Sequence, residues 1–95
     1  MENWTIIIRS PMGETTAKLQ FEQTGTGVNG EMTGKSGSGP IEAGRVDGDR
    51  LYWTCKIEKP MPMTLKFKGV RKGDEMNGTV KFGIFASGTF VAKPI

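Results

Sequence analysis

An internal repeat constrains the fold of this 95-residue chain more than any other feature of its sequence. Short matches recur in the same order at offsets of 46 to 49 positions: Trp4-Thr5 with Trp53-Thr54, Pro11-Met12 with Pro60-Met61, Leu19-x-Phe21 with Leu65-x-Phe67, Asn29-Gly30 with Asn77-Gly78, Ser38-Gly39 with Ser87-Gly88, and Ala43 with Ala92. We interpret them as two copies of one unit, at about 4–49 and 53–95, within a single β domain spanning 1–95.

Each unit is predicted to contain four β-strands separated by turns rich in Gly and Pro. The eight predicted strands are 4–10, 14–24, 28–35, 40–46, 51–58, 63–70, 76–82 and 89–93. Apolar and polar residues alternate along several of them, which is the period of a strand with one buried face. Because no window of 11 or more residues has helical periodicity without Gly or Pro, we expect almost no helix.

Eight short antiparallel strands are enough to close a sheet into a barrel whose interior is filled by side chains. Closure also removes the unpaired edges of an open sheet. We therefore predict an all-β fold: an eight-stranded antiparallel meander barrel, or a flattened barrel, with two pseudo-repeats of four strands.

The alternation of apolar residues also predicts the core. Its members are Trp4, Ile6, Ile8, Leu19, Phe21, Val28, Met32, Ile41, Trp53, Cys55, Ile57, Leu65, Phe67, Met76, Val80, Phe82 and Phe90. These large side chains nearly fill a short barrel. We expect no deep ligand cavity, although the pattern leaves room for a shallow pocket at one mouth.

The composition excludes several kinds of chemistry. The chain has no histidine and one cysteine, so Ser-His and Cys-His nucleophile pairs and thiolate metal clusters are not available. Cys55 follows the inward pattern of Trp53 and Ile57, which indicates a buried, inert thiol. We therefore expect no catalytic, metal-binding or cofactor-binding residues and no enzyme activity; an enzyme that uses carboxylates or lysines remains an alternative.

Two glycine-containing segments imitate nucleotide-binding motifs. Residues 25–30 have the spacing Gly-x-Gly-x-x-Gly, and residues 34–36 resemble the end of a phosphate-binding loop. Both motifs require a helix directly after the glycines. Because strands are predicted there instead, we interpret both segments as hairpin turns.

Cysteine usage and hydropathy predict the compartment. The longest apolar run is Ile6-Ile7-Ile8, far shorter than the 20 or so residues of a spanning helix. The first residues lack the pattern of a secretion signal, and a lone cysteine cannot form an internal disulfide. These features favour a cytoplasmic protein without a membrane partner.

Charge is distributed unevenly along the chain. The net charge of +3 combines −3 over residues 1–49 with +6 over residues 50–95. Such asymmetry can attract polyanions or a second copy of the same chain, so self-association is one prediction. The candidate polyanion patch is Lys56, Lys66, Lys68, Arg71 and Lys72. Binding of nucleic acid by this patch is an alternative function, although only Tyr52 is placed to stack on a base.

Methionines mark the two corresponding turns of the repeats. Met12, Met61 and Met63 follow or flank prolines there. Methionine side chains can plug the end of a barrel or line an adaptable binding surface. We interpret them as a plug; the alternative is that the three methionines surround a mouth for a small apolar ligand or a protein partner.

Turn and strand segments over most of the chain carry a resemblance to a known family. The segments are Ser10-Pro11-Met12-Gly13-Glu14, Gly44-Arg45-Val46-Asp47-Gly48-Asp49 and Gly73-Asp74-x-Met76-Asn77-Gly78-Thr79-Val80. They resemble a family of small bacterial β domains of uncharacterised function, found alone or appended to larger proteins such as amidohydrolase-like enzymes. The resemblance implies a stand-alone β module and supplies no catalytic residues.

Missing catalytic chemistry, a filled barrel and methionine-rich turns together favour a non-enzymatic binding or protein-interaction module. Its partner would be a protein, a second copy of the chain, or a small apolar ligand at the mouth. A small β-barrel that binds nucleic acid and a histidine-free enzyme are the alternatives.

Overall fold

The structure is a computed structural model that describes residues 2–11, 13–34, 37–58, 62–84 and 86–95. Its strands are β1 (Glu2–Ser10), β2 (Gly13–Thr24), β3 (Gly27–Gly34), β4 (Gly37–Asp47), β5 (Arg50–Ile57), β6 (Met63–Lys72), β7 (Glu75–Phe82) and β8 (Ala86–Pro94). All eight predicted strands are confirmed. β4 and β8 each begin three residues earlier than predicted, because their Gly- and Ser-containing starts pair with β3 and β7 instead of forming turns.

The strands form a closed barrel in the order β1 to β8, each antiparallel to its neighbours. Pairing of β1 with β8, from Trp4 opposite Pro94 to Arg9 opposite Thr89, closes the sheet. The predicted meander barrel is therefore confirmed. The molecule measures 33 × 23 × 20 Å, as expected for a narrow barrel with strands of eight to twelve residues. No helix in the described part of the chain is long and apolar enough to span a membrane.

The interior of the barrel is filled by the side chains that the alternation of apolar residues predicted. Every predicted core residue except Ile57 is buried, and Ile57 is half-buried and packs against the core. Leu51 and Ala92 are buried as well. The prediction missed them because Leu51 follows directly on a hairpin turn and the small Ala92 gives only a weak hydrophobic signal.

The duplication stays a prediction, but strand registers allow the two halves to be compared. Trp4 lies opposite Leu19 across β1 and β2, and Trp53 lies opposite Phe67 across β5 and β6. These registers relate β2 to β6 at an offset of 48, not at the 46 of the sequence match. The position that Phe21 takes in β2 is therefore taken by a glycine in β6.

That glycine, Gly69, makes room for an aromatic cluster in the second half. A Cβ at Gly69 would lie 2.9 Å from the ring of Phe90. Phe90 packs edge-on against both Trp53 and Phe67, with ring centroids 5.6 and 5.5 Å apart. Trp53 and Phe67 stack on each other at 4.9 Å. In the first half the corresponding space holds Phe21, which stacks on the other tryptophan.

Candidate functional site

The barrel has two ends, which we call the mouth and the base. The mouth is the end at which β1, β3, β5 and β7 finish, and the base is the end with the hairpin turns that follow β2, β4 and β6. The strands that precede the predicted Pro-Met turns, β1 and β5, therefore finish at the mouth. Of the three methionines predicted to plug or surround it, Met12 and Met61 lie outside the described residues. Met63 is half-buried opposite Ile57 and packs against the core.

An apolar cavity of about 40 Å³ lies at the mouth. Strands β1 to β6 all line it, chiefly through Ile8, Ala17, Met32, Cys55, Ile57 and Leu65. The volume is close to the roughly 30 Å³ that one water molecule occupies in the liquid, and far below the ~150 Å³ of a cavity that holds benzene. The site can therefore take the end of an aliphatic side chain but not a whole ligand, as expected of a filled barrel.

Small residues on the first-half side of the mouth create this cavity. Ala17 of β2 lies opposite Gly34 of β3, and both line the cavity. At the corresponding position of the second half, Leu65 of β6 lies opposite Phe82 of β7. Two large side chains thus fill the second-half side, whereas an alanine and a glycine leave space on the first.

Two sulfur-containing residues, Met32 and Cys55, are among the described residues that line the cavity, and Cys55 is the one with a thiol. It is 3% exposed, and its Sγ lies 3.8 Å from the carbonyl oxygen of Lys56. Burial, with a smaller contribution from the negative charge of Glu42, raises the pKa of the Cys55 thiol. The thiol therefore stays protonated at neutral pH and is a poor nucleophile, so the mouth is suited to packing rather than reaction.

The base is closed by an ion pair over Trp4. Arg71 Nη2 lies 2.9 Å from Glu2 Oε1, and Arg71 Nη1 donates to Glu2 Oε2 at 3.1 Å. The guanidinium also lies over the Trp4 ring, 5.0 Å from its centroid, and Trp4 Nε1 donates to Glu2 Oε1 at 3.3 Å. Trp4 has no exposed surface beneath this cover.

Arg71 therefore does not join the other predicted cations of the polyanion patch. Its place in β6 continues the inward positions of Leu65 and Phe67, three and two periods of two residues earlier, and it pairs with the buried Met76. Continuing the period of two through Gly69 would have revealed this orientation. Lys72, the next residue, faces outward opposite Glu75.

The remaining patch residues lie on the outer face of the sheet. Lys66 and Lys68 are exposed on β6, and Lys56 of β5 lies diagonally next to Lys66. Lys56 is engaged with Glu42, its Nζ 3.8 Å from the carboxylate oxygen. Sequence reasoning missed Lys81 of β7, which lies directly opposite Lys66. Only the register between β6 and β7 brings these two lysines together.

Tyr52 stands beside these lysines with a second cation that sequence reasoning also missed. It lies opposite Lys68 on one side and opposite Arg45 on the other. The Arg45 guanidinium lies over the Tyr52 ring, 4.4 Å from its centroid. We call Arg45, Tyr52, Lys66, Lys68 and Lys81 the basic face.

An irregularity in β4 places Arg45 on this face. The register between β4 and β5 shifts between Glu42 and Arg45, where Ala43 has a φ of +53°. Both Glu42 and Arg45 pair with outward residues of β5, although three positions separate them, because the bulge inserts one extra residue. Without it, the period of two would turn Arg45 into the barrel.

The titratable groups near the two ends of the barrel are few among the described residues. No cluster of three or more Cys, Asp or Glu side chains that could hold a metal occurs among them. The titratable groups lining the mouth are Cys55 and Lys56. A wider cleft of about 390 Å³ at the base is lined by Asp49 and Arg71, and the latter is already bound to Glu2.

Known proteins add nothing to this geometry: no protein-family model, no curated protein and no solved structure matches the chain. The resemblance to small bacterial β domains therefore stays a prediction from the sequence. What stands on the structure is a closed all-β barrel with an apolar mouth, a base at which an ion pair covers Trp4, and a basic outer face.

Proposed function

We propose that the protein is a non-enzymatic protein-interaction module whose mouth receives an aliphatic side chain from another chain. The observation that carries the proposal is the enclosed apolar cavity at the mouth of an otherwise filled barrel. Placing an aliphatic group there removes apolar surface from water on both partners, which is the main driving force of association.

The closed sheet favours this mode over strand addition. Many β domains bind extended peptides at an exposed sheet edge, where backbone groups are unpaired. Here β1 pairs with β8 over six residue pairs, so each strand has a partner on both sides. A partner must therefore use side-chain contacts, and the mouth supplies a concave apolar site for one.

A second copy of the chain carries a suitable side chain. Ile84 lies in the turn between β7 and β8, at the mouth, and is 96% exposed. The cavity is lined by β1 to β6, so Ile84 stands on the part of the rim that contributes nothing to it. In a two-fold dimer with the mouths facing each other, each copy donates Ile84 and each receives it.

The size of the mouth predicts that this association is weak. The end of the barrel measures about 23 × 20 Å across. Two such ends bury less than the ~1,000 Å² or more that stable specific complexes need. We therefore expect a reversible dimer that forms at high micromolar concentration or above.

Sedimentation equilibrium over a range of concentrations tests whether Ile84 is the side chain that enters the partner's cavity. We expect the wild-type chain to form dimers and Ile84→Asp to stay monomeric, because a buried carboxylate in an apolar cavity is strongly unfavourable. The matched control is Ile95→Asp, since Ile95 is the other large apolar side chain that is exposed in the described structure, at 73% and at the base. This variant should dimerise like the wild type.

A second pair of variants tests the receiving site. Gly39 lines the cavity, and a Cβ there would meet no atom within 4 Å, so Gly39→Val fills the space without a clash. It should abolish dimerisation, whereas Gly27→Val in β3, near the base, should not. A wild-type chain that stays monomeric at millimolar concentration would overturn the proposal. Ile95→Asp weakening the dimer as much as Ile84→Asp would also overturn it. So would dissociation of the dimer by isobutanol with NMR chemical-shift changes at Ile8 and Leu65, because a small apolar molecule would then be the occupant.

A further inference from the structure

The basic face holds three lysines that are not used by the fold. Lys66, Lys68 and Lys81 are exposed, and none forms an ion pair with another described residue. Lys56, on the neighbouring strand, shows the contrast, because it bonds to Glu42. The three free ammonium groups therefore make a compact positive surface on β6 and β7.

Two of these lysines lie where their like charges destabilise the sheet. Lys66 and Lys81 are directly opposite each other in the antiparallel pair of β6 and β7. Side chains in such positions have Cβ atoms about 5 Å apart, and like charges there are destabilising. An anion that binds between the two ammonium groups would remove this repulsion.

A flat surface for stacking adjoins the cations. Tyr52 is half-buried, the Arg45 guanidinium lies over its ring, 4.4 Å from the centroid, and Lys68 flanks it on the other side. Planar aromatic rings and guanidinium groups are the surfaces on which unpaired bases stack. The β4 bulge is what brings Arg45 to this position.

We infer that the basic face binds single-stranded nucleic acid, with a base stacked on the Tyr52–Arg45 pair and the phosphates following Lys68, Lys66 and Lys81. Charge complementarity identifies an anionic partner, and the stacking surface beside it favours unpaired bases over a carboxylate-rich protein or an anionic membrane. This face lies on the outer side of β4 to β7, whereas the mouth cavity is lined by inward-facing residues, and the inference does not depend on the proposed dimer.

Fluorescence anisotropy with labelled ten-nucleotide oligo-dT and oligo-U tests the inference. Three lysines that contact phosphates predict a slope of about −2.1 for log affinity against log salt, or a loss of about 18-fold between 50 and 200 mM salt. Absence of binding at 50 mM salt would overturn the inference.

Paired lysine variants separate the basic face from net charge. Lys66→Gln with Lys81→Gln should reduce the slope to about −0.7, so that the same change in salt costs only about 3-fold. Lys18→Gln with Lys93→Gln removes the same charge from exposed positions on β2 and β8, outside the basic face, and should leave the slope unchanged. Equal effects of the two double variants would reduce the interaction to non-specific attraction and contradict the inference.

Removal of the ring tests base stacking, and vesicles test the membrane. Tyr52→Thr keeps a strand-forming residue and should lower oligonucleotide affinity by roughly 5- to 150-fold, the range measured for loss of one aromatic stack, without changing the salt slope. An unchanged affinity would contradict the stacking. The protein could instead bind phosphatidylserine vesicles as tightly as oligo-dT, with the same dependence on Lys66 and Lys81. That result would identify an anionic membrane, not nucleic acid, as the partner.

Discussion

At the base of the barrel, Trp4 is completely buried under the ion pair of Arg71 with Glu2, whereas at the mouth the strand ends leave an apolar cavity of about 40 Å³. The base uses large side chains and a polar cover to exclude water. The mouth uses Ala17 and Gly34 where the second half has large residues, and the space stays open. The difference indicates that the base contributes stability, whereas the mouth keeps the apolar surface that we propose receives a partner. Five substitutions, in four tests, can break or sharpen this comparison.

The largest effect is expected at the base. Trp4→Ala removes the biggest side chain of that end and leaves Glu2 and Arg71 over a void. Replacing a buried tryptophan by alanine lowers the free energy of unfolding by about 3–5 kcal/mol. Urea denaturation followed by circular dichroism measures the change. A loss below about 1 kcal/mol would show that the base is not the stabilising end.

A matched pair of alanine substitutions compares the packing of the two ends directly. Ala92 has no exposed surface and lies between β1 and β7, so Ala92→Leu should overpack the barrel and cost about 1–3 kcal/mol. Ala17→Val adds two methyl groups beside the mouth cavity and should be neutral or stabilising by up to about 1 kcal/mol. Equal destabilisation by both variants in urea denaturation would mean that the mouth is packed as tightly as the interior.

The polar cover of the base is expected to matter less than the ring beneath it. The side chains of Arg71 and Glu2 are 36% and 42% exposed, so solvent screens their attraction. Arg71→Gln should lower the free energy of unfolding by about 1 kcal/mol at low salt, and by less in 1 M NaCl. An effect that does not depend on salt would assign the role of Arg71 to its contact with Trp4 instead.

The smallest effect concerns the thiol at the mouth and appears only at alkaline pH. The pKa of Cys55 is raised by burial above its ordinary value of 9.0, so the unfolded chain loses this proton at lower pH than the folded chain. The folded state then binds more protons, and stability is full below about pH 9 and falls as the pH rises further. The fall cannot exceed about 1.4 kcal/mol per pH unit.

Comparison of the wild type with Cys55→Val isolates this contribution, because the two chains differ only in this thiol. Urea denaturation at pH 7.5 and pH 10 should show a greater loss for the wild type. Identical pH profiles would indicate that the thiol is open to solvent and that the mouth is wet.

The local patterns in the sequence predicted the strands, the closure and nearly all of the core, because alternation and turn residues act over a few positions. The mouth cavity depended on a fact that no local pattern contains, namely that Ala17 lies opposite Gly34. The match of Leu19-x-Phe21 with Leu65-x-Phe67 even favoured a register two residues away from the observed one.

The basic face shows the same division between local and non-local information. Lys66 and Lys68 were predicted to face outward together, and they do. The partner Lys81 required the β6–β7 register, and Arg45 required a bulge at Ala43 that reverses the direction of its side chain. Arg71 alone was within reach of the sequence, because the period of two continues unbroken to its position.

The pairing of β1 with β8 also has a consequence for how the chain folds. Seven of the eight strand pairings join strands that are consecutive in the chain. This one brings together residues almost a full chain length apart, as far as Trp4 and Pro94. Loop-closure entropy makes such a contact costly until the intervening strands are in place. We therefore expect the barrel to assemble as an open meander that closes last, with a transition state in which Ile7 and Val91 have not yet met. Until that moment the two outer strands present unpaired backbone, so the rate of closure sets how long the folding chain is exposed to aggregation.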